Sequence, residues 1–447
     1  MKKVITYGTF DLFHQGHVNL LKRAKALGDY LIVGVTTDQF DTQRGKLNTQ
    51  NSLMKRIEDV KASGFADEII LEEYKGQKIS DILRFGVDVF VIGSDWEGQF
   101  DYLKEYCEVV YLPRTEGVSS TMLRNEHPIR LGIAGTGSIA GRFVDESKFV
   151  QCISIAAAYS IDREQCSDFC AKYELPMCCA DYDALLNCCD AVYVATPHYT
   201  HYEYVKAALM AGKHVLCETP FVLRTAEASE LIEMAAERNL ILMVAHKTSY
   251  CPAFSQLIYM VKSGAIGQVV DINASITTIT DENSDKMSEH KFGGSMSENA
   301  CFPALPIVKL LGTEFKNIDF YSKMKNGVDI YTKAVFRYES ATASFQVGLG
   351  AKTEGSMVIS GTKGYVYVPA PWWKTDYFEF RFEDQNQNKK YFVPFAGEGL
   401  RYEIRSFATA VQSPINLKRV TLTADEILAM TRVQELYLNE TNLYRLK

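Results

Sequence analysis

Residues Tyr7-Gly8-Thr9-Phe10-Asp11-Leu12-Phe13-His14-Gln15-Gly16-His17 decide how the chain is read. Before them, Lys2-Lys3-Val4-Ile5-Thr6 has the β-branched content of a short buried strand. After them, apolar residues at 18, 20, 21, 24 and 27 repeat at helical period, and Gly28 stands where a C′ glycine ends a helix. The two histidines therefore fall in a strand-to-helix turn, with His17 in the first helical turn. Free N–H groups and the helix dipole favour phosphate oxygens there. Gly8 and Gly16 remove side chains that would keep a ligand off the backbone. A metal pair is the competing reading, but the stretch lacks carboxylate or cysteine company at ligand spacing. A nucleotide site is the expectation.

Working outward, 447 residues are too many for one ordinary core, so two or three domains are expected. With 47% hydrophobic and 23% charged residues, the composition is that of a folded globular protein. A net charge of −7 and the lack of a Lys/Arg stripe argue against nucleic acid. No apolar run is long enough for a membrane span, and Met1-Lys2-Lys3 leads into a strand rather than a signal peptide. A cytoplasmic protein, assembled as a homo-oligomer, is the expectation. The eleven cysteines are odd in number, and spacings such as Cys166 to Cys170 or Cys178-Cys179 fit no zinc pattern. Free thiols and no metal ligands are therefore expected.

Residues 1–126 alternate strands (3–6, 31–35, 87–92, 109–112) with helices (17–27, about 52–63, about 77–85), the pattern of a parallel α/β sheet. Such sheets bind ligands at the carboxyl ends of their strands, where the histidines stand. A second cluster, Arg114-Thr115-Glu116-Gly117-Val118-Ser119-Ser120-Thr121, follows the last strand. Its hydroxyls can cap a helix or meet phosphates, and Arg114 is a bidentate phosphate donor. Taken with the histidine turn, it reads as the second wall of a triphosphate site.

The histidine stretch resembles the HxGH signature of nucleotidyltransferases. With Gly93-Ser94-Asp95-Trp96-Glu97-Gly98 and Val109-Val110-Tyr111-Leu112-Pro113-Arg114-Thr115-Glu116-Gly117, the first domain is similar to the glycerol-3-phosphate cytidylyltransferase family. The resemblance implies that CTP, with Mg2+, is held by Gly8, Thr9, Phe10, His14, His17, Lys46 and Arg114 to Thr121. It implies a catalytic role for His14, His17, Lys46 and Arg114, and places the polyol phosphate against Arg44, Lys78 and Asp11. Arg44 stands where the family usually has lysine, and Gly64 where it usually has arginine.

After the polar link Arg124-Asn125-Glu126-His127-Pro128 a new strand begins, and Gly135-Thr136-Gly137-Ser138-Ile139-Ala140 follows it as Gly-x-Gly-x-x-Ala at a predicted helix start. That strand–turn–helix context makes it a dinucleotide fingerprint. Ser160, at the end of the next strand, is compatible with NAD or NADP. Ala195-Thr196-Pro197, His198, His201, Ala211-Gly212-Lys213-His214-Val215-Leu216-Cys217-Glu218-Thr219-Pro220 and Gly264-Ala265-Ile266-Gly267 resemble the Gfo/Idh/MocA oxidoreductases, over 129–447. The resemblance implies cofactor contacts at Gly135, Gly137, Ser138, Ile139, Ala140, Ser160, Thr196, Pro197, His201 and Glu218. It also implies a Rossmann domain at 129–250 and, at 251–447, an α+β domain with an open, mainly antiparallel sheet. Thr423 with Glu426 reads as the capping box of a closing helix.

Two departures stand out. Thr219 replaces the family's lysine beside the nicotinamide, and Phe302 replaces its Tyr/His proton donor. Hydride transfer to a carbonyl needs a proton for the developing alkoxide. His198, His246 and Lys247 are substitutes by chain position. The sequence thus leads to a cytidylyltransferase for a surface polymer of teichoic or capsular type. Fused to it is either a reductase of a keto precursor or a redox-inactive NAD(P) module serving oligomerisation or regulation.

Overall fold

Val4, Ile5, Thr6 and Tyr7 are all buried in β1 (Lys3–Gly8), the middle strand of a five-stranded parallel sheet. Its partners are β2 (Tyr30–Thr36), β3 (Glu68–Glu72), β4 (Val89–Gly93) and β5 (Glu108–Leu112), in the order β3-β2-β1-β4-β5. The computed structural model describes residues 1–43, 51–74, 76–113, 128–150, 152–281, 283–288, 293–412 and 422–447. It divides into two units, Met1–His127 and Pro128–Lys447.

In the first unit the chain leaves β1 for β2 and β3, then crosses back to β4 on the other side of β1. The crevice at the carboxyl ends of β1 and β4 is therefore the topological switch point. Two elements fall outside the strands and helices expected from the sequence. Strand β3 is bounded by Glu68 and Glu72 rather than by apolar residues, and a short helix runs Asp38–Gln43. The first helix spans Gln15–Lys25 and ends through Ala26, so Gly28 is not its C′ residue. A side chain at Gly28 would lie 2.6 Å from the Lys2 carbonyl oxygen, and it is this close approach that requires glycine.

The second unit opens with another parallel sheet. Strands β6 (Ile129–Ala134), β7 (Ile153–Tyr159), β8 (Ala191–Val194), β9 (His214–Cys217) and β10 (Leu242–Val244) stand in the order β10-β9-β8-β6-β7. Its switch point lies between β6 and β8, where the Gly-x-Gly turn leaves the sheet. A nine-stranded sheet follows. It is antiparallel except where Val269–Thr277 runs beside Thr342–Gly348 and Asn317–Lys325 beside Leu443–Leu446. One apolar core joins both sheets, from Ala134 and Val194 through Phe254 and Leu305 to Phe336, Phe345 and Trp372. A second apolar cluster, with Leu131, Phe143, Tyr193, Ile404 and Phe407, is also buried in this unit. Thr423 caps the Ala424–Leu438 helix, and Glu426 completes the capping box. Among the described residues no helix is long and apolar enough to cross a membrane.

Candidate functional site

The first site is built on the turn after β1. Phe10 (φ 54°) and Leu12 (φ 47°) both adopt left-handed backbone, on either side of Asp11. Such conformations are costly away from glycine and persist where the surroundings enforce them. Here Arg56 does so. It is fully buried, and its guanidinium donates to the carbonyls of Thr9 (2.8 Å), Thr36 (2.6 Å) and Asn51 (3.2 Å) and pairs with Asp38. Asp11 accepts from the Asn51 N–H at 2.8 Å, and the Thr9 hydroxyl donates to Asp41 at 3.0 Å. Asp11 is thereby tied to the backbone ahead of the Leu53–Ala62 helix, 40 residues along the chain. Lys78 is buried with Glu72 as its ion-pair partner, 4.5 Å from the Tyr7 ring centroid, so its charge is already matched.

His14 is the N-cap of the Gln15–Lys25 helix and His17 its N3 residue, and the two form a capping box. His14 Nδ1 accepts from the Gly16 N–H at 3.0 Å, and His17 Nδ1 accepts from the His14 N–H at 3.3 Å. A neutral imidazole that accepts at Nδ1 carries its proton at Nε2. Both rings thus become Nε2–H donors at a helix N-terminus. Phe10 and Phe13 brace His17 at ring-centroid distances of 5.5 and 5.4 Å. Arg44, Lys46 and Arg114, Thr115, Glu116, Gly117, Val118, Ser119, Ser120 and Thr121 lie outside the described residues. Arg56 was missed in the sequence because its partners are mostly backbone carbonyls far along the chain.

In the second unit Gly135 (φ 98°) passes so close to β8 that a side chain there would sit 2.3 Å from the Ala195 carbonyl oxygen. Gly137 is the N-cap of the Ser138–Ser147 helix, and a side chain there would meet nothing within 4 Å. The turn is held tight on one side and left open over the helix N-terminus, which fits a dinucleotide pyrophosphate. Ser160 follows β7, and Thr196 and Pro197 follow β8, at the same carboxyl edge.

His201 lies inside the second unit. Its buried ring lies with Nδ1 2.9 Å from the Pro220 carbonyl oxygen and Nε2 2.9 Å from that of Thr196. Burial lowers its pKa to about 4. As a neutral ring it donates its one N–H to one of these carbonyls, between the segment after β8 and that after β9. Glu218 is likewise internal: it accepts from the Tyr193 hydroxyl (2.5 Å) and the Thr219 N–H (3.1 Å), and burial pushes its carboxyl up.

Strands β9 and β10 are parallel neighbours with Cys217 opposite Val244, so Thr219 and His246 hold matching positions beyond the carboxyl edge, with Lys247 the next residue. Thr219, His246 and Cys301 line a pocket with Met430 and Gln434. The His246 Nε2 lies 3.0 Å from the Cys301 carbonyl oxygen, and its ring packs edge-on to Phe302 at 5.0 Å. Lys247 is mostly desolvated, which lowers its pKa, with the opposing pull of Glu403 and Glu218. Glu403 is 0% exposed, and neither carboxylate oxygen has a hydrogen-bond partner among the described residues. Burial pushes it up strongly.

Comparison with known proteins follows these two sites. Residues 5–126 match the family described as cytidylyltransferase-like, and residues 129–246 match an oxidoreductase family with an NAD-binding Rossmann fold. The glycerol-3-phosphate cytidylyltransferase of Bacillus spizizenii is 56% identical over 126 residues, 28% of this chain and 97% of that protein. The scyllo-inositol 2-dehydrogenase (NADP(+)) IolU of Bacillus subtilis is 26% identical over 320 residues, 68% of this chain and 97% of that protein. In structure, KijD10, a 3-ketoreductase from Actinomadura kijaniata, superposes with a TM-score of 0.64 at 22% identity, over 72% of this chain and 100% of that one, a likeness of fold. The chain belongs to the cytidylyltransferase-like family through its first unit, a nucleotidyltransferase, fused to a second unit of the Gfo/Idh/MocA oxidoreductase type.

Proposed function

We propose that the first unit joins CTP to glycerol-3-phosphate, or a closely similar polyol phosphate, to give a CDP-polyol and pyrophosphate. The paired Nε2–H donors of His14 and His17 carry this reading. The reaction needs no protein nucleophile, because the acceptor phosphate brings its own oxygen. Attack at the α-phosphorus expels pyrophosphate and gathers charge on the phosphate oxygens. Two fixed donors at a helix N-terminus meet that charge without reorganising, and each such contact is worth about 10²–10³ in rate. By resemblance Lys46 and Arg114 complete the donor set. The Mg2+ of this reaction would arrive with the triphosphate. Pyrophosphate release from CTP and glycerol-3-phosphate tests the reading. The product would feed a surface polymer of teichoic or capsular type.

We further propose that the second unit binds NAD(P) at Gly135–Ala140 and reduces a keto precursor of the polyol phosphate. A nicotinamide dinucleotide supplies the hydride when bound. The chain must supply a proton, and Thr219 and Phe302 have none to give. Lys247 follows His246 at the carboxyl edge, within electrostatic reach of Glu218, and its lowered pKa suits an ammonium that gives up a proton to a forming alkoxide. The competing reading, a redox-inactive dinucleotide module, is favoured by the same two residues, Thr219 and Phe302. NADPH oxidation with a panel of ketose phosphates separates the two.

A further inference from the structure

Three cysteines that look scattered in the sequence converge beside β7. Cys166 and Cys170 lie one turn apart on the Arg163–Tyr173 helix, and Cys178 arrives on the segment after it. Their Sγ atoms all lie within 4.8 Å of one another, and Cys166 and Cys178 are joined as a disulfide, contrary to the expectation of free thiols throughout. The backbone around them is fixed. The Ala158 N–H donates to the Met177 carbonyl at 2.9 Å, the Cys179 N–H donates to the Ala158 carbonyl at 2.8 Å, and Cys178 forms a parallel bridge with Ala158. Cys166 and Cys170 are buried, Cys178 partly so.

We propose that, with this disulfide reduced, Cys166, Cys170 and Cys178 bind one soft divalent cation of the Zn2+ class, each through Sγ. Zinc–sulfur bonds of about 2.3 Å place thiolates on one ion roughly 4 Å apart, so the observed cluster needs only small shifts. A small dithiol supplies the two electrons and two protons that convert the disulfide to two thiols, and itself becomes the disulfide. Cation binding then forms three metal–sulfur bonds, releases three thiol protons to solvent, and leaves water the fourth position. Bare thiolates are disfavoured here, since burial pushes the Cys170 thiol up. A bound cation reverses that preference. The ion would tie the Arg163–Tyr173 helix to the strand that ends just before Ser160.

The full chain, reduced anaerobically and stripped by a chelator, is titrated with Zn2+ against a chromophoric competitor, and with Co2+ for thiolate charge-transfer absorption. One equivalent is expected, with affinity lower by roughly 100-fold or more in Cys170→Ser and Cys178→Ser and unchanged in Cys107→Ser. Zn2+ should also shield these three thiols from alkylation in peptide mapping of the unsubstituted chain, which serves if a variant fails to fold. No stoichiometric binding, equal affinity in Cys170→Ser, or protection that maps to other cysteines overturns the proposal.

Discussion

The imidazole rings of His14 and His17 stack 4.0 Å apart between centroids and 21° from parallel, each with Nδ1 occupied by a backbone N–H of the same turn. One pair of side chains thereby ends the helix and sets the tautomer of both rings. Capping and chemistry can be separated by substitution. Asparagine at 14 keeps a side-chain acceptor for the cap but removes the Nε2 donor. His14→Asn should hold stability within about 0.5 kcal/mol while turnover falls by about 10²–10³. His14→Ala should add a cap loss of about 1 kcal/mol. Urea unfolding beside steady-state rates reads both, and near-normal turnover in His14→Asn would place the donors elsewhere.

Arg56→Met should be far more damaging to the fold than its position in a helix suggests. It strips the carbonyls of Thr9 and Thr36 and the carboxylate of Asp38 of a buried partner. Breaking such a pair from one side typically costs about 3–5 kcal/mol. The first unit's unfolding midpoint should drop accordingly and CTP affinity should fall with it, because the strained Phe10–Leu12 turn loses its brace. A variant with wild-type stability would contradict that role.

Much of this was legible because it is local. The strand before the histidines, the helix after them and the Gly-x-Gly turn each declare themselves within a dozen residues. What was hidden depends on long-range partners. Arg56 reaches carbonyls 20 and 47 residues away, and nothing in its neighbours announces that. His201 matches a family motif, yet both ring nitrogens meet backbone carbonyls of neighbouring loops. Gly28 carries the signature of a helix end but serves a close approach to Lys2. Strand β3 pairs with β2 as an edge, and its apolar run is only three residues, Ile69 to Leu71, between two glutamates.

In the second unit, the two buried histidines should remain neutral far below their usual range. His201 and His246 are both lowered to about 4 from 6.5 by burial. Their contribution to stability is present above pH 6.5 and is lost as pH falls through about 4. Asp329 acts oppositely. Burial pushes it up to about 6, so its contribution is present at low pH and lost as pH rises through about 6. Imidazole NMR titration resolves the histidines individually. Signals for His201 or His246 that titrate near 6.5 would contradict their desolvated placement.

Gly137→Asp should abolish dinucleotide binding with little change in stability. An added Cβ meets no protein atom within 4 Å, and the carboxylate beyond it crowds the space over the helix N-terminus. Fluorescence titration with NADPH and NADH reads the loss, and a thermal melt reads the fold. Retained binding would move the pyrophosphate away from this turn.

Lys247→Met should remove any ketose-phosphate reduction while leaving NADPH binding within a few fold. In the unsubstituted chain the rate should fall on the alkaline side with a midpoint below the ordinary lysine range, because burial lowers this amine. Undiminished reduction in the variant would assign the proton to another group.

The central claim is cytidylyl transfer at the turn of His14 and His17. The most direct measurement follows pyrophosphate release by the full chain with CTP, Mg2+ and glycerol-3-phosphate, and identifies the nucleotide product by mass. Equal amounts of pyrophosphate and CDP-glycerol, both abolished in a His14→Asn, His17→Asn double variant, are the predicted result. CTP binding without pyrophosphate release, for glycerol-3-phosphate and every related polyol phosphate tried, would contradict it.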